Sequence, residues 1–176
     1  MKAIGVVMAA LVAGCSSDSN QISTIQNNGT CTFSGSVTGL HTCTVAGAYT
    51  TSEQMGVIEI SYNTAADHDG GVVVGVTLYG TIAFPSAPVP GTYTAPTTGT
   101  TLVAGATQIQ LGDVASQDFW WATTAVGSFT LVLNSVELLG DDPEIGKVYL
   151  PKGTLDATLV PNSTSATGNV RVQATF

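Results

Sequence analysis

Positive charge is nearly missing from this chain. Four Lys and Arg face twelve Asp and Glu among 176 residues, a formal net charge of −8. After Lys2 the only basic side chains are Lys147, Lys152 and Arg171. Nucleic-acid binding needs a clustered basic footprint, and attachment to anionic lipid headgroups needs a polybasic segment. Neither exists here, so no nucleic acid is expected as a partner. Charge of either sign is scarce, 9% of residues against about 25% in ordinary globular chains. Histidine occurs only as His41 and His68, and no Gly-x-Ser-x-Gly or His-Glu-x-x-His motif is found. A triad needs a base oriented across space, and Asp67-His68-Asp69 places its three side chains in one turn, where they diverge. The sequence is therefore read as a non-enzyme. No apolar run reaches the roughly 20 residues of a membrane-spanning helix.

Gly, Thr, Ser, Ala and Val fill the space left by the missing charge. Thr and Val lose rotamer freedom in a helix, and Gly costs backbone entropy there. The same short and β-branched side chains fit a pleated, half-buried surface. The composition points to strands and turns.

The N-terminus reads as an address. Lys2 precedes an apolar run from Ile4 to Val12, followed by small residues at a cleavage position. Leu11-Val12-Ala13-Gly14-Cys15 resembles the lipobox of bacterial lipoproteins, with Val12 where that family more often has Leu. The resemblance implies that residues 1–14 are a signal peptide. It also implies that Cys15 carries a diacylglyceryl group, and that the protein is held to a membrane of the cell envelope by that lipid. Ser16 at the following position favours the outer membrane in enteric-type sorting. Residues 15–29 are polar and small, a flexible tether reaching roughly 20 Å. Residues 30–176 remain as a single domain.

Cys31 and Cys43 are the other two cysteines. An even remainder in an exported chain points to a disulfide. Thr30–Ser36 and Leu40–Val45 read as strands of a hairpin centred on Val37, which sets Cys31 opposite Cys43 and Phe33 opposite His41. A metal site would need two further ligands, and only His41 is near.

Period-two alternation recurs down the chain between Gly, Pro, Asn and Asp. Strands are expected at Met55–Tyr62 and at Val72–Tyr79, the latter central, with a hairpin loop over Thr64–Gly71. Pro85, Pro88 and Pro90 stop that region. A short edge strand is expected at Gly91–Thr94, then loop or weak strand from Pro96 to Thr107. Further strands follow around Ile109 and Leu111 and over Phe119–Thr124. Ser128–Val136 is expected to turn Phe129, Leu131 and Leu133 inward. A turn is expected at Gly140–Glu144, and a long strand over Lys147–Leu159 with a kink at Pro151 and Gly153. The last strand, Gly168–Phe176, places Val170, Val172, Ala174 and Phe176 on one face. These nine or ten strands without a helix predict an all-β fold, an antiparallel β-sandwich of immunoglobulin-like or jelly-roll-like type.

Three segments, Gly127-Ser128-Phe129-Thr130-Leu131, Gly153 to Leu159 and the closing Ala174-Thr175-Phe176, resemble the C-terminal part of uncharacterised β-sandwich lipoproteins. That likeness implies a fold and an address but no activity. The terminal Phe176 also resembles the last strand of outer-membrane barrels. Those barrels want aromatic girdles and strands of about 9–11 residues, whereas aromatics here are 7%.

Candidate sites are few. Trp120 and Trp121 alternate, so one is buried and the other displayed. The displayed ring, with Tyr79, Tyr93 or Tyr149, is a candidate platform for a sugar or peptide. Asp67 and Asp69, and Asp141, Asp142 and Glu144, are clustered hard oxygens that Ca²⁺ favours, though Asp is common in turns for backbone reasons. Glu53, Glu59, Asp113 and Asp118 are the carboxylates from which a glycosidase pair would be drawn. The expected role is structural or interactive within the envelope, towards an envelope protein or a glycan. The alternative is a carbohydrate- or ligand-binding module at the cell surface.

Overall fold

A computed structural model describes residues 27–50, 55–63, 76–96, 102–113, 116–143 and 146–176. The expectations placed on Cys15, Glu53, Asp67, Asp69, Glu144, the Thr64–Gly71 loop and the leader lie outside the described residues. Ten strands run in order: β1 (Asn27–Gly35), β2 (Gly39–Thr50), β3 (Met55–Asn63), β4 (Val76–Phe84) and β5 (Gly91–Ala95). Then come β6 (Gln108–Asp113), β7 (Asp118–Thr123), β8 (Ser128–Asp142), β9 (Gly146–Pro161) and β10 (Val170–Thr175). Among the described residues there is no helix. The all-β, antiparallel expectation holds, with every pairing antiparallel.

The strands form one continuous sheet, ordered β10-β1-β2-β3-β4-β6-β7-β9-β8-β5. β9 also pairs with β10 and with β2. A hydrogen-bonded circuit therefore runs from β9 through β10, β1, β2, β3, β4, β6 and β7 back to β9. β8 and β5 extend from β9 outside that circuit, with β5 as the short edge strand that the prolines foreshadow.

Alternation supplies the core. Phe33, Ile58, Ile60, Leu78, Ile82, Ile109, Leu111, Leu131, Leu155, Leu159 and Val170 are all fully enclosed. Each such side chain contributes roughly 1.5–3 kcal/mol when buried. The inward sets expected for β8 and β10 are those observed, except that Phe176 is only partly buried.

Several boundaries differ from the sequence reading. β1 begins at Asn27, three residues inside the expected tether, because Asn27, Asn28 and Gly29 already pair with β2. β4 runs to Phe84 rather than stopping at Tyr79, and Pro85 ends it. Gly140, Asp141 and Asp142 are ladder residues paired with Val148, Lys147 and Gly146, so the turn comes after them. β8 and β9 adjust to one another through register shifts between Leu133 and Ser135 and between Leu138 and Gly140. The first shift lies beside Pro151 and Gly153, where a kink was expected. A bulge is where a strand accommodates a residue that cannot serve the ladder.

The Cys31–Cys43 disulfide is present, with Cα atoms 5.8 Å apart. Its geometry differs from the expected one. Cys31 pairs directly with His41 and Phe33 with Gly39, so the bridge runs diagonally between the strands. The turn is fixed from outside the hairpin. Gly35 has φ +103, and a Cβ there would collide with the Asn169 carbonyl. The Ser36 amide donates to that same carbonyl at 3.2 Å, and the Ser36 hydroxyl donates to the Thr167 carbonyl.

Candidate functional site

Two tryptophans follow one another in β7, and the pleat separates them. Trp120 is 3% exposed and belongs to the core. Its indole Nε1 donates to the Gly168 carbonyl at 3.0 Å. Beside it the Asn162 amide donates to the Phe119 carbonyl at 2.7 Å, and the Phe119 amide donates to Ser163 Oγ at 3.1 Å. Trp120 thus fastens the 162–169 connection over the end of the core. It has no face to offer a ligand.

Trp121 points the other way, partly exposed on the outer face. Register gives it defined neighbours. Ser61 pairs with Tyr79, Tyr79 with Gln110, and Gln110 with Trp121. Residues paired directly across strands share a face. One row therefore crosses four strands, with Gln110 between the rings of Tyr79 and Trp121. Tyr79 is 46% exposed, the most open aromatic ring among the described side chains. At about 4.8 Å per strand, the two aromatic positions stand roughly 10 Å apart.

The adjoining rows complete the face. Phe119 lies two residues from Trp121, hence on the same side. Its ring occupies the space above Gly112, where a Cβ would stand only 2.9 Å from Phe119 Cε1. On the other flank Glu59 pairs with Thr81, Thr81 with Gln108, and Gln108 with Thr123. Gln108 Nε2 donates to Gln110 Oε1 at 3.3 Å, and the Tyr79 hydroxyl donates to Glu59 Oε1 at 3.3 Å. Towards β2 the row ends at Thr44, whose hydroxyl is 2.7 Å from that of Ser61. An open hollow of about 290 Å³ lies there, lined by Thr42, Thr44, Ser61 and Tyr62.

The other candidates do not join this face. Tyr93 is in β5, which pairs only with β8. Its ring packs edge-on against Phe84 at 4.8 Å, and its hydroxyl donates to the Val89 carbonyl at 2.8 Å. Tyr149 lies in β9 opposite Gly47 and Leu138. Asp141 and Asp142 are consecutive strand residues, so their carboxylates leave opposite faces of the ladder rather than converging on a cation. Among the described residues no three His, Cys, Asp or Glu side chains are grouped to hold a metal ion. Asp113 and Asp118 pair directly at the end of the β6–β7 hairpin, and one Asp118 carboxylate oxygen is buried without a hydrogen-bond partner. Glu59 lies level with Gln108, five residues along β6 from Asp113. That is about 17 Å along the strand, beyond the roughly 5–9.5 Å over which two carboxylates share glycoside hydrolysis.

No protein-family model, no curated protein and no solved structure matches the chain.

Sequence reasoning named Trp121 and Tyr79 as candidates and did not single out Gln108, Gln110 or Phe119. The spacing of Phe119 and Trp121 carries a readable signal, since positions i and i+2 of a strand share a face. The part played by the glutamines needed the β4–β6–β7 register.

Proposed function

We propose that this protein is an exported, lipid-anchored component of the cell envelope, with a structural or interaction role for its β domain. The observation that carries the reading is the Cys31–Cys43 disulfide, whose two residues are 0% and 1% exposed within the core. Structural disulfides of this kind persist in oxidising compartments and are rare in a reducing cytosol. Lipobox-like residues 11–15 add the anchor, and Ser16 directs the proposal to the outer membrane. Acyl chains on Cys15, with more than one chain per residue, exceed what a single chain gives in membrane affinity. The tether then lifts the domain from the lipid surface.

The test is Cys15→Ser in a bacterial host. The parent chain should incorporate labelled fatty acid, lose its leader and partition into detergent, while the variant should do none of these. Identical labelling and partition of the two proteins would remove the anchor from this reading.

A further inference from the structure

We infer that the outer face of β3, β4, β6 and β7 binds a neutral polysaccharide strand, with Tyr79 and Trp121 as stacking surfaces and the Gln108–Gln110 pair as hydrogen-bonding groups between them. This goes beyond the proposed location and does not depend on Cys15.

Three features lead to that ligand. The first is shape. The face is built from four neighbouring strands, and its exposed Tyr79 and partly exposed Trp121 stand two strands apart, roughly 10 Å. Such a surface fits an extended chain of rings better than one small molecule, which favours a concave pocket. Aromatic faces pack against the C–H faces of sugar rings, and each ring brings a polar tip for the surrounding hydroxyls.

Hydrogen bonding is the second. A carboxamide both donates and accepts, as every sugar hydroxyl does. The Gln108 Nε2 to Gln110 Oε1 bond fixes the orientation of both amides, and Glu59 fixes the Tyr79 hydroxyl. The groups are thus set before a ligand arrives, on strands rather than on a loop, which reduces the ordering cost of binding.

Charge is the third. On the rows through Tyr79 and Thr81, Glu59 is the only charged residue. None of the chain's four basic residues lies on these rows, and the net charge is −8. Anionic polymers would meet no countercharge and a repulsive field. A hydrophobic protein partner would bury Gln108, Gln110, Thr81 and Thr123 against apolar atoms and leave their polar groups unpaired.

The experiment is affinity electrophoresis of the full chain in mild detergent. Native gels would contain hydroxyethylcellulose, xylan, glucomannan or laminarin, with alginate as a polyanion. At least one neutral polymer should retard the protein. Tyr79→Ala and Trp121→Ala should each weaken that binding at least about tenfold, as expected for central aromatic contacts. Leu138→Ala, at a residue 51% exposed on β8, should leave it unchanged. Thermal unfolding of each variant reports whether the fold is intact. If Trp121→Ala does not fold, Tyr79→Ala still decides the matter. The inference is overturned if no neutral polymer retards the protein, if alginate alone does, or if retardation survives loss of the aromatic rings.

Discussion

Cys31 and Cys43 close a loop of sequence separation 12. Constraining such a loop in the unfolded chain stabilises the fold by about 3 kcal/mol in the chain-entropy model. Replacing both cysteines with Ala should lower the unfolding midpoint by roughly 6–12 °C for a chain of this size. Calorimetry under non-reducing conditions checks it. The pairing of these cysteines was legible because reading Cys15 as the lipid site left one partner for each. Their register was not. The observed hairpin is displaced by two residues from the expected one, and a shift of two returns each side chain to its original face. The inward set of β1 and β2 is therefore the same in both registers, and hydrophobic pattern cannot choose between them. The choice is made by Gly35 and Ser36 against Asn169 and Thr167, residues far away in the sequence. Asp156 makes stability depend on pH. Arg171 Nε and Nη2 donate to its two carboxylate oxygens at 2.9 and 2.6 Å, and Gln173 adds a bond at 3.4 Å. The Arg171 hydrogen bond holds the Asp156 carboxyl below its ordinary range, outweighing the opposite effect of burial. Because the folded value is the lower one, the contribution is present above the unfolded pKa of about 4 and is lost as pH falls through the folded value. Asp156→Asn should therefore be slightly less stable than the parent at pH 7, and the difference should shrink as the pH falls below about 4. Both side chains are about half exposed, so added salt should shrink the difference at pH 7.

β7 shows how one short element serves both faces of the sheet. Its inward Trp120 fastens the 162–169 connection, and its outward Phe119 and Trp121 shape the surface. Trp120→Phe replaces the indole with a smaller ring and removes the N–H that the Gly168 carbonyl accepts. The expected cost is about 1–3 kcal/mol, from the lost hydrogen bond and the core volume left unfilled. Hydrogen exchange should quicken within residues 162–169 while β10 stays protected; uniform acceleration would show that Trp120 acts only through the core. The two-faced use of β7 was readable from alternation. The course of β4 was less so. Residues 72 to 84 form a nearly unbroken small and apolar run, and such a run has no period to mark where pairing starts. The structure places its described strand at the C-terminal end of that run, up to Pro85. The hydrogen-bonded length of β8 was hidden for another reason. Asp141, Asp142 and Pro143 form a strong turn signal, yet the ladder with β9 continues through both aspartates because Gly146, with φ +98, turns the chain at the far side.

At the scale of the molecule, all-β character and strand number were legible, because they rest on composition and alternation. The closure of the sheet was not, because it depends on β9 meeting β7, β8, β10 and β2 along its length. β10 fills the space between β1 and β9, pairing with both. A chain ending at Asn169 should therefore lose the enclosure of Phe33 and Leu155 along with Val170, Val172 and Ala174. It should unfold without a sharp transition in denaturant, whereas the full chain should show one cooperative step.

The first strand of the domain thus waits for the last. β1 has β2 on one side from early in synthesis, but its other edge stays open until residues 170–175 emerge. Until then β1 cannot reach β9 through β10, and residues 170–175 act as the latch of the circuit. The seam between β1 and β10 thus joins the two described strands most distant in sequence, and a contact across so long a stretch of chain forms late because the intervening loop must close first.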